Sequence, residues 1–507
     1  MPPASFRLFA LAGALIGVPL VDAATFSSVL SPYLVSGAGT DAAGGTYVIN
    51  GPSNVVVSSA LDVIANNYPM ATGSAWDITV GDGASFGFSG ITGRTFGNPS
   101  GGAGMTMSIT AQGTGEIFFE NFSRLNTSFI YGAVITQNAG TLSLTGARFT
   151  NNTTTVNAAS AAVGGAIFKA YGTLNLTDSS FTGNSISYSV VGKTAHGGAI
   201  YQNGGTTNLT VSSGKTSSFT GNTAQGLANS VHIASGTLNV DTQATGVLDM
   251  VDRMTGGTTA DIGNAGTTAA INKNGAGTWR LGGANTFTDA NAAYATTFRV
   301  NVGTLRLYGA GEATTVSGVT ATAASISMSG TGSSFAVENG AKLVAAGNNA
   351  ISVAANTAAN AIEFKAGSSV DLLAGAQLAL TGNTTLNNNA TLTFDFGSSA
   401  INSATTALIT VDGTLTLATG ANFIVDLNGF SAGDYQLISS TGSIVGSTPG
   451  VTNRFTSADL DNVVFSFSSD GRSLWANVSA VPEPGSWAAI VGIMALSCAM
   501  LRRRRHA

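Results

Sequence analysis

Apolar and small polar residues alternate through most of this chain, and three recurring phrases organise the alternation. Gly-Gly-Ala-Ile stands at 164–167 and 197–200, with a relative at 132–135. Gly-Thr-Leu-x-Leu (or -Val) and Phe-Thr-x-Asn follow it in constant order. Because side chains alternate between the two faces of a strand, Leu-x-Leu predicts a strand with one buried face. Successive Gly-Gly phrases lie 33 residues apart, which predicts a solenoid of stacked coils.

Each position in these phrases has a structural explanation in a solenoid. The residue between the two apolar positions points outwards and is polar each time. Glycine at the strand start permits a bend between sheets. We expect each Phe of Phe-Thr-x-Asn to stack on the Phe of the next coil, and the Asn to lie at a corner. The outward residues are Ser143, Asn175, Asn239, Arg306 and Thr416, and Phe-Thr-x-Asn stands at 149–152, 181–184 and 219–222.

The regularity of the phrases changes along the chain and divides it into segments. We predict an all-β body with an N-terminal cap and first coils at 24–115, coils with the first and third phrases at 116–270, and looser coils at 271–404. An open coil end exposes unpaired strand edges, so terminal coils are expected to be atypical. Residues 405–480 are therefore predicted to form a C-terminal β cap.

Composition restricts the partners of this body. Charged residues make up 9% of the chain, against an average of about 25%. Apolar residues still make up 44%, which argues against charge-driven disorder. The net charge of −5 over 507 residues is too weak to indicate a nucleic acid partner. The single cysteine, Cys498, lies in an apolar run, so the body has no disulfides and depends on packing.

The N-terminus has the pattern of a cleavable secretory signal. Arg7 precedes an apolar stretch from Leu8 to Leu20, and Val21-Asp22-Ala23 follows. Small residues at the two positions that signal peptidase recognises predict cleavage between Ala23 and Ala24. Residues 1–23 are therefore expected to direct export.

The C-terminus combines a rigid turn, an apolar run and a basic cluster. Pro482-Glu483-Pro484 favours exposed, extended backbone. The run from Gly485 to Leu501 has 17 residues, near the lower limit for a membrane-spanning helix. Four arginines follow it and predict a cytoplasmic end by the positive-inside rule: they are Arg502, Arg503, Arg504 and Arg505.

Residues 481–507 resemble the PEP-CTERM sorting signal of Gram-negative bacteria. The resemblance implies that an exosortase recognises Pro482, Glu483 and Pro484 and processes the protein near them. It also implies a precursor anchored in the inner membrane and a mature protein at the cell surface or in an extracellular, exopolysaccharide-rich matrix. An ordinary single-span tail anchor is the alternative, although it has no need for Pro-Glu-Pro beside the membrane.

The body resembles two families of exported proteins. Residues 116–240 are similar to the repeats of chlamydial-type polymorphic outer-membrane proteins. Residues 271–309, with Gly275-Ala276-Gly277-Thr278-Trp279 and Gly303-Thr304-Leu305-Arg306-Leu307, resemble the autotransporter-associated β-strand repeat. Both resemblances imply a right-handed parallel β-helix exported to the cell surface.

Parallel β-helices also include polysaccharide lyases and hydrolases, which need clustered acids and bases on neighbouring coils. Two acid pairs have strand spacing: Glu116 with Glu120, and Asp459 with Asp461. We interpret both as solvated strand residues. His196 and His232 are the histidines outside the C-terminal segment, and we interpret them as turn or outward-facing residues. Motifs for zinc, calcium or phosphate are missing from the sequence.

These patterns favour a non-enzymatic, structural or adhesive surface protein without a cofactor or metal. Its expected partners are signal peptidase, exosortase and the inner membrane during processing, with exopolysaccharide as a further candidate. Two alternatives stay open. A polysaccharide-cleaving β-helix enzyme would be favoured by acids and bases on one face of stacked coils, and a passive spacer would bind no ligand.

Overall fold

A computed structural model gives the structure of the protein. It describes residues 45–49, 54–58, 75–90, 106–126, 132–157, 162–190, 194–257, 268–288, 294–354, 356, 358, 360–373, 375–395, 407–418, 420–426, 433–446, 454–457, 463–478 and 494. The predicted signal peptide, the Asp459/Asp461 pair and, apart from Met494, the C-terminal sorting segment lie outside these residues. Among the described residues, none belongs to a helix long and apolar enough to cross a membrane.

Within the described residues, three long sheets run side by side along the molecule, and each coil between Thr106 and Ser440 contributes one strand to each sheet. Sheet A has 14 strands. In stacking order they are Gly45–Ile49, Ala75–Val80, Thr106–Ala111, Thr141–Thr145, Thr173–Thr177, Thr206–Val211, Gly236–Thr242, Thr268–Asn274, Ala295–Val300, Ser334–Val337, Ile362–Phe364, Thr384–Leu386, Leu415–Leu417 and Ile444–Val445.

Sheet B also has 14 strands and follows sheet A within each coil. They are Asn54–Ser58, Ser85–Ser89, Glu116–Glu120, Ala147–Thr150, Ser180–Thr182, Thr216–Thr220, Val247–Met250, Thr278–Leu281, Thr304–Leu307, Lys342–Ala345, Ser369–Leu372, Thr391–Asp395, Asn422–Asp426 and Arg454–Ser457.

Sheet C has 13 strands among the described residues and closes each coil from the one that begins at Thr106. Its parallel strands are Ile135–Gln137, Ile167–Lys169, Ile200–Gln202, Val231–Ile233, Met254–Gly256, Ala284–Phe287, Ser325–Met328, Asn348–Val353, Gln377–Thr381, Ile409–Asp412 and Gly433–Ser440. An antiparallel hairpin, Val463–Phe467 with Ser473–Val478, ends this sheet. The predicted C-terminal cap thus contains further parallel coils followed by an antiparallel hairpin.

Two small sheets complete the fold. Between sheets B and C, four parallel strands stack at Ser123–Asn126, Thr153–Val156, Ser185–Tyr188 and Thr223–Ala224, and Leu227–Ala228 adds an antiparallel edge. Ala162–Val163 and Ala195–His196 form a second layer. Parallel strands of the three long sheets enclose one apolar core, so the prediction of an all-β, parallel β-solenoid is confirmed.

The recurring Phe residues stack along the inside of sheet B as predicted. Ring centroids lie 5.7 Å apart between Phe88 and Phe119, and 4.9 Å between Phe119 and Phe149. The stack continues from Phe149 to Phe181 at 4.5 Å and to Phe219 at 4.7 Å. Stacked aromatic pairs contribute about 0.5–1.5 kcal/mol beyond the area they bury.

The recurring Asn residues lie at the corner after sheet B, but they do not have left-handed backbone. That conformation falls on the residue before them, with φ of 53° at Asn151 and 66° at Gly183. Asn152, Asn184 and Asn222 are instead fully buried. Each amide is directed into the coil and bonds the coils on either side.

Glycines at the strand starts have the conformation that the bend requires. Gly172 has a φ of 77°, and a Cβ there would collide with the carbonyl oxygen of Gly140 on the previous coil. The Gly-Thr-Leu-x-Leu phrase is not confined to one sheet: Thr173–Thr177 lies in sheet A, whereas Thr304–Leu307 lies in sheet B. The phrase therefore specifies a strand after a bend and not a particular face.

Candidate functional site

The outer side of sheet A carries rows of small polar side chains, which we call the ladder face. Inward positions of its strands are mostly aliphatic, with Thr207 an exception, and Thr, Ser and Asn occupy the outer positions. The parallel register aligns like residues on successive coils. The rows are Thr141, Thr173, Thr206 and Thr237; Ser143, Asn175, Asn208, Asn239 and Asn272; and Thr145, Thr177 and Thr210.

The central row of the ladder face is a chain of hydrogen bonds between coils. Asn175 donates to the Ser143 hydroxyl at 3.0 Å, and Asn208 donates to the Asn175 carbonyl oxygen at 2.7 Å. The same bond repeats from Asn239 to Asn208 at 2.8 Å and from Asn272 to Asn239 at 3.0 Å. These bonds fix the amides in one orientation. An Asn amide has two donors and two lone pairs, so each retains hydrogen-bonding capacity towards solvent.

Charged residues lie at both ends of this face. At one end the central row continues from Ser143 through Ser108 to Asp77, and the other end carries an acid and a base. There the third row continues from Thr210 to Asp241, and the central row continues from Asn272 to Arg299. Between Thr141 and Thr237 the three rows contain only hydroxyls and amides, all half-buried. The arrangement is suited to hydrogen bonding with a neutral, extended ligand and lacks the acids and bases that hydrolysis needs.

Glu116 and Glu120 share one strand and the same outer side of sheet B, as their spacing predicts. Glu116 forms an ion pair with Arg148 of the next coil at 3.2 Å, and both side chains are more than half exposed. An exposed ion pair contributes about 0–1 kcal/mol. The contact supports the interpretation of Glu116 as a solvated strand residue.

His196 and His232 come together in an aromatic column over sheet C. Their ring centroids lie 4.5 Å apart, and His232 stacks on Tyr201 at 5.0 Å. His232 is buried, with Nδ1 2.8 Å from the Thr255 hydroxyl and Nε2 3.2 Å from the Gly257 carbonyl oxygen. His232 lies on the outer side of its strand as predicted, but it is covered rather than solvent-exposed.

Burial determines the protonation of this pair. It lowers the pKa of His196 to about 4. Burial first, and the neighbouring His196 second, lower the pKa of His232 well below its usual range. Both rings are therefore neutral at pH 7 and act as packing groups in the second layer over sheet C.

The sequence interpretation missed a row of charged residues on sheet B. Asp249, Arg280 and Arg306 occupy the same outward position on three successive coils. Asp249 is fully buried and accepts a 2.8 Å hydrogen bond from the Tyr308 hydroxyl. Burial, followed by this contact with Asp249, raises the pKa of Tyr308. The row could be recognised only once the strand register was known, because the three residues are 31 and 26 positions apart in the sequence and so follow no constant repeat.

Within the described ranges, no group of three or more His, Cys, Asp or Glu side chains is placed to hold a metal ion. Comparison with known proteins gives no family model, curated protein or solved structure that matches this chain.

Proposed function

We propose that the protein is exported, sorted by an exosortase, and acts structurally or adhesively among exopolysaccharides at the cell surface or in an extracellular matrix. The observation that carries this proposal is the ladder face. It presents preoriented amides and hydroxyls in straight rows over successive coils, without charge. Strands are about 4.8 Å apart, so the rows offer a regular set of partners to the hydroxyls of a neutral polysaccharide.

Three finer features belong to the same proposal. Parallel crossovers are right-handed in about 98% of cases, which supports a right-handed coil. Gly485 to Leu501 would form the transmembrane helix, with Arg502 to Arg505 in the cytoplasm. Signal peptidase would cleave after Ala23, and exosortase near Pro482-Glu483-Pro484. Mass spectrometry of the mature protein tests this processing, since retention of Arg502 to Arg505 would contradict it.

Pull-down on neutral matrix polysaccharides tests the adhesive function. The double variant Thr206→Lys/Asn208→Lys places long charged side chains in two rows of the ladder face. We expect it to lose binding by about tenfold or more, since the lysines both block the rows and remove hydrogen-bonding partners. The matched control is Thr391→Lys/Thr393→Lys, at half-buried outer positions of sheet B, which should bind like the unmodified protein. Equal binding by both variants, or none by the unmodified protein, contradicts the proposal.

The second candidate function is a polysaccharide-cleaving enzyme, and the row of Asp249, Arg280 and Arg306 is the observation that favours it. A lyase or hydrolase would release unsaturated or reducing ends from matrix polysaccharides during the same incubation. We expect neither product, because Asp249 is buried under neighbouring side chains. Release of either product that disappears in Asp249→Asn would favour the enzyme.

A further inference from the structure

A short flap, residues 309–323, covers the charged row on the outer side of sheet B. It is a narrow antiparallel turn with an isolated bridge between Ala313 and Thr320. Gly311 donates to the Ala321 carbonyl oxygen at 2.9 Å, and Ala321 donates to that of Glu312 at 2.8 Å. The flap is therefore a small ordered unit added to the sheet.

Asp249 attaches the flap to the sheet, beside a 3.3 Å hydrogen bond that the Gly283 amide donates to the Thr322 carbonyl oxygen. The Thr315 amide donates to Asp249 Oδ2 at 2.7 Å, and the Thr315 hydroxyl bonds the same oxygen. Tyr308, Val251 and Ala321 add a small apolar contact. Few apolar side chains hold the flap down, so opening it exposes little apolar surface.

Two arginines lie on adjacent coils beside the flap: Arg306 contacts Glu312 of the flap, and Arg280 bonds the side chain of Tyr308, the residue before the flap. Arg280 and Arg306 are paired in register and on the same outer side. Like charges directly opposite each other on neighbouring strands are destabilising. In both residues Nε is buried and has no hydrogen-bond partner, although buried polar groups are normally satisfied. On its other side Arg280 is in register with the buried Asp249, so the unused donors of the pair are the two Nε groups.

Glu312 of the flap supplies a carboxylate that contacts Arg306 of this pair. One of its oxygens forms an ion pair with Arg306 Nη2, and the other accepts a 3.0 Å hydrogen bond from the Gly309 amide. The side chains of Arg306 and Glu312 are 28% and 22% exposed. The carboxylate thus comes from the loop and not from the sheet, and it lies within reach of solvent.

We propose that Arg280 and Arg306 form a binding site for the carboxylate of uronic acid units in a polysaccharide, and that Glu312 occupies this site when the flap is closed. The guanidinium fork matches a carboxylate in a bidentate geometry. A ligand carboxylate takes the place of Glu312, and the flap moves away from the row. The polysaccharide nature of the ligand rests on the function proposed above, whereas the carboxylate chemistry rests on the arginine pair alone.

Titration calorimetry of the full chain with oligogalacturonate tests the site. Glu312→Gln removes the internal competitor while retaining a side chain of the same shape, so we expect about tenfold tighter binding or more. Adding Arg306→Gln to that variant should return binding to below the level of the unmodified protein. Neutral maltooligosaccharides of equal length should bind none of these proteins at this site.

The matched control is Asp371→Asn, which removes the acid of the 2.6 Å ion pair with Lys342 on the same sheet. It changes the net charge as Glu312→Gln does and lies in the same outward row, where Val344 of the intervening coil separates it from Arg306. It should leave oligogalacturonate binding unchanged. No gain in Glu312→Gln, or an equal gain in Asp371→Asn, would overturn the proposal. Thr206→Lys/Asn208→Lys should retain oligogalacturonate binding, so failure at this site and failure of the ladder face are distinguishable.

Discussion

The coils between 116 and 257 and those between 268 and 446 share the same three sheets but differ at the corner after sheet B. In the first region the corner amides bond one another: Asn152 donates to Asn184 at 2.7 Å, and Asn184 donates to Asn222 at 2.9 Å. In the second region the buried amides, Asn285 and Asn349, lie at the second position of sheet C strands, just after this corner, and they bond only main-chain groups. Continuous sheets therefore do not require identical corners.

The aromatic residues also differ between the two regions. The first region stacks Phe on Phe inside one sheet. The second stacks Trp279 of sheet B on Phe298 of sheet A at 5.6 Å, and Phe298 lies 5.5 Å from Phe335 of sheet A. Repeated phrases in the sequence thus mark side-chain ladders, whereas the backbone pairing persists where the phrases fade.

The largest expected effect comes from breaking the amide ladder in the first region. Asn184→Ala leaves the Asn152 amide and the Phe149 carbonyl oxygen without their side-chain partner. Each buried group left unsatisfied costs about 1–3 kcal/mol, so we expect the free energy of unfolding to fall by about 3–4 kcal/mol. Urea denaturation measures the change.

Asn208→Ala on the ladder face is the matched control for that substitution. Asn208 lies in a neighbouring coil and also bonds an Asn on each side, at 2.7 and 2.8 Å. Its partners are half-buried and can bond water instead, so the loss should stay below about 1 kcal/mol. Equal losses in the two variants would show that the buried ladder has no special role.

A smaller effect, the coupling energy between two amides, should distinguish a continuous ladder from isolated amides. A double-mutant cycle on Asn152 and Asn184, each changed to Ala, should show a coupling energy of about 0.5–3 kcal/mol because the two amides share a hydrogen bond. Asn285 and Asn349 lie two coils apart, with Ser325–Met328 between their strands, and their cycle should be additive within about 0.5 kcal/mol. Measurable coupling in the second cycle would contradict the distinction between the two regions.

The Phe stack and the position of the corner Asn could be predicted from the sequence, because both depend on residues at fixed positions of the phrases. Leu-x-Leu determines which side chains are inward, and Phe-Thr-x-Asn determines the Phe stack and the corner amide. The end of the amide ladder was not predictable in this way. Asp252 accepts 2.7 and 3.0 Å hydrogen bonds from the amides of Asn222 and Gly221, and it lies outside any repeated phrase.

The charged row and its flap were not predictable for a different reason. Asp249 and Thr315 are 66 residues apart, and only the coil register and the length of the flap bring them into contact. The buried lysines illustrate the same limit. Lys169 stands in register with Gln137 and Gln202, but the phrases do not reveal that this position faces the corner carbonyls.

The smallest expected change in stability, taken per pH unit, concerns two buried lysines, one in each region. Lys169 donates to the Gly204 carbonyl oxygen, and burial lowers its pKa to about 7. Lys273 donates to the carbonyl oxygens of Asn274 and Val302 at 2.7 and 3.1 Å, and burial lowers its pKa to about 8. Each pKa lies below the ordinary value of 10.5, so the unfolded chain binds more protons in that window. Stability should therefore rise with pH, by at most about 1.4 kcal/mol per pH unit for each lysine.

Substitution of each lysine by Gln separates the two regions by pH. Between pH 7 and 8 only Lys169 is expected to contribute, so Lys169→Gln should flatten the rise there while Lys273→Gln keeps it. Between pH 8 and 10 both variants should show a smaller rise of stability with pH, measured by urea denaturation.

Lys169→Gln should also keep its stability at pH 7, since Gln137 and Gln202 already bond corner carbonyls in the same column. Lys273 has Val240 and Val300 as its neighbours, so no amide column accommodates its replacement. Lys215→Gln, at an exposed position, should leave the slope unchanged, and a flat profile in the unmodified protein would contradict the assignment.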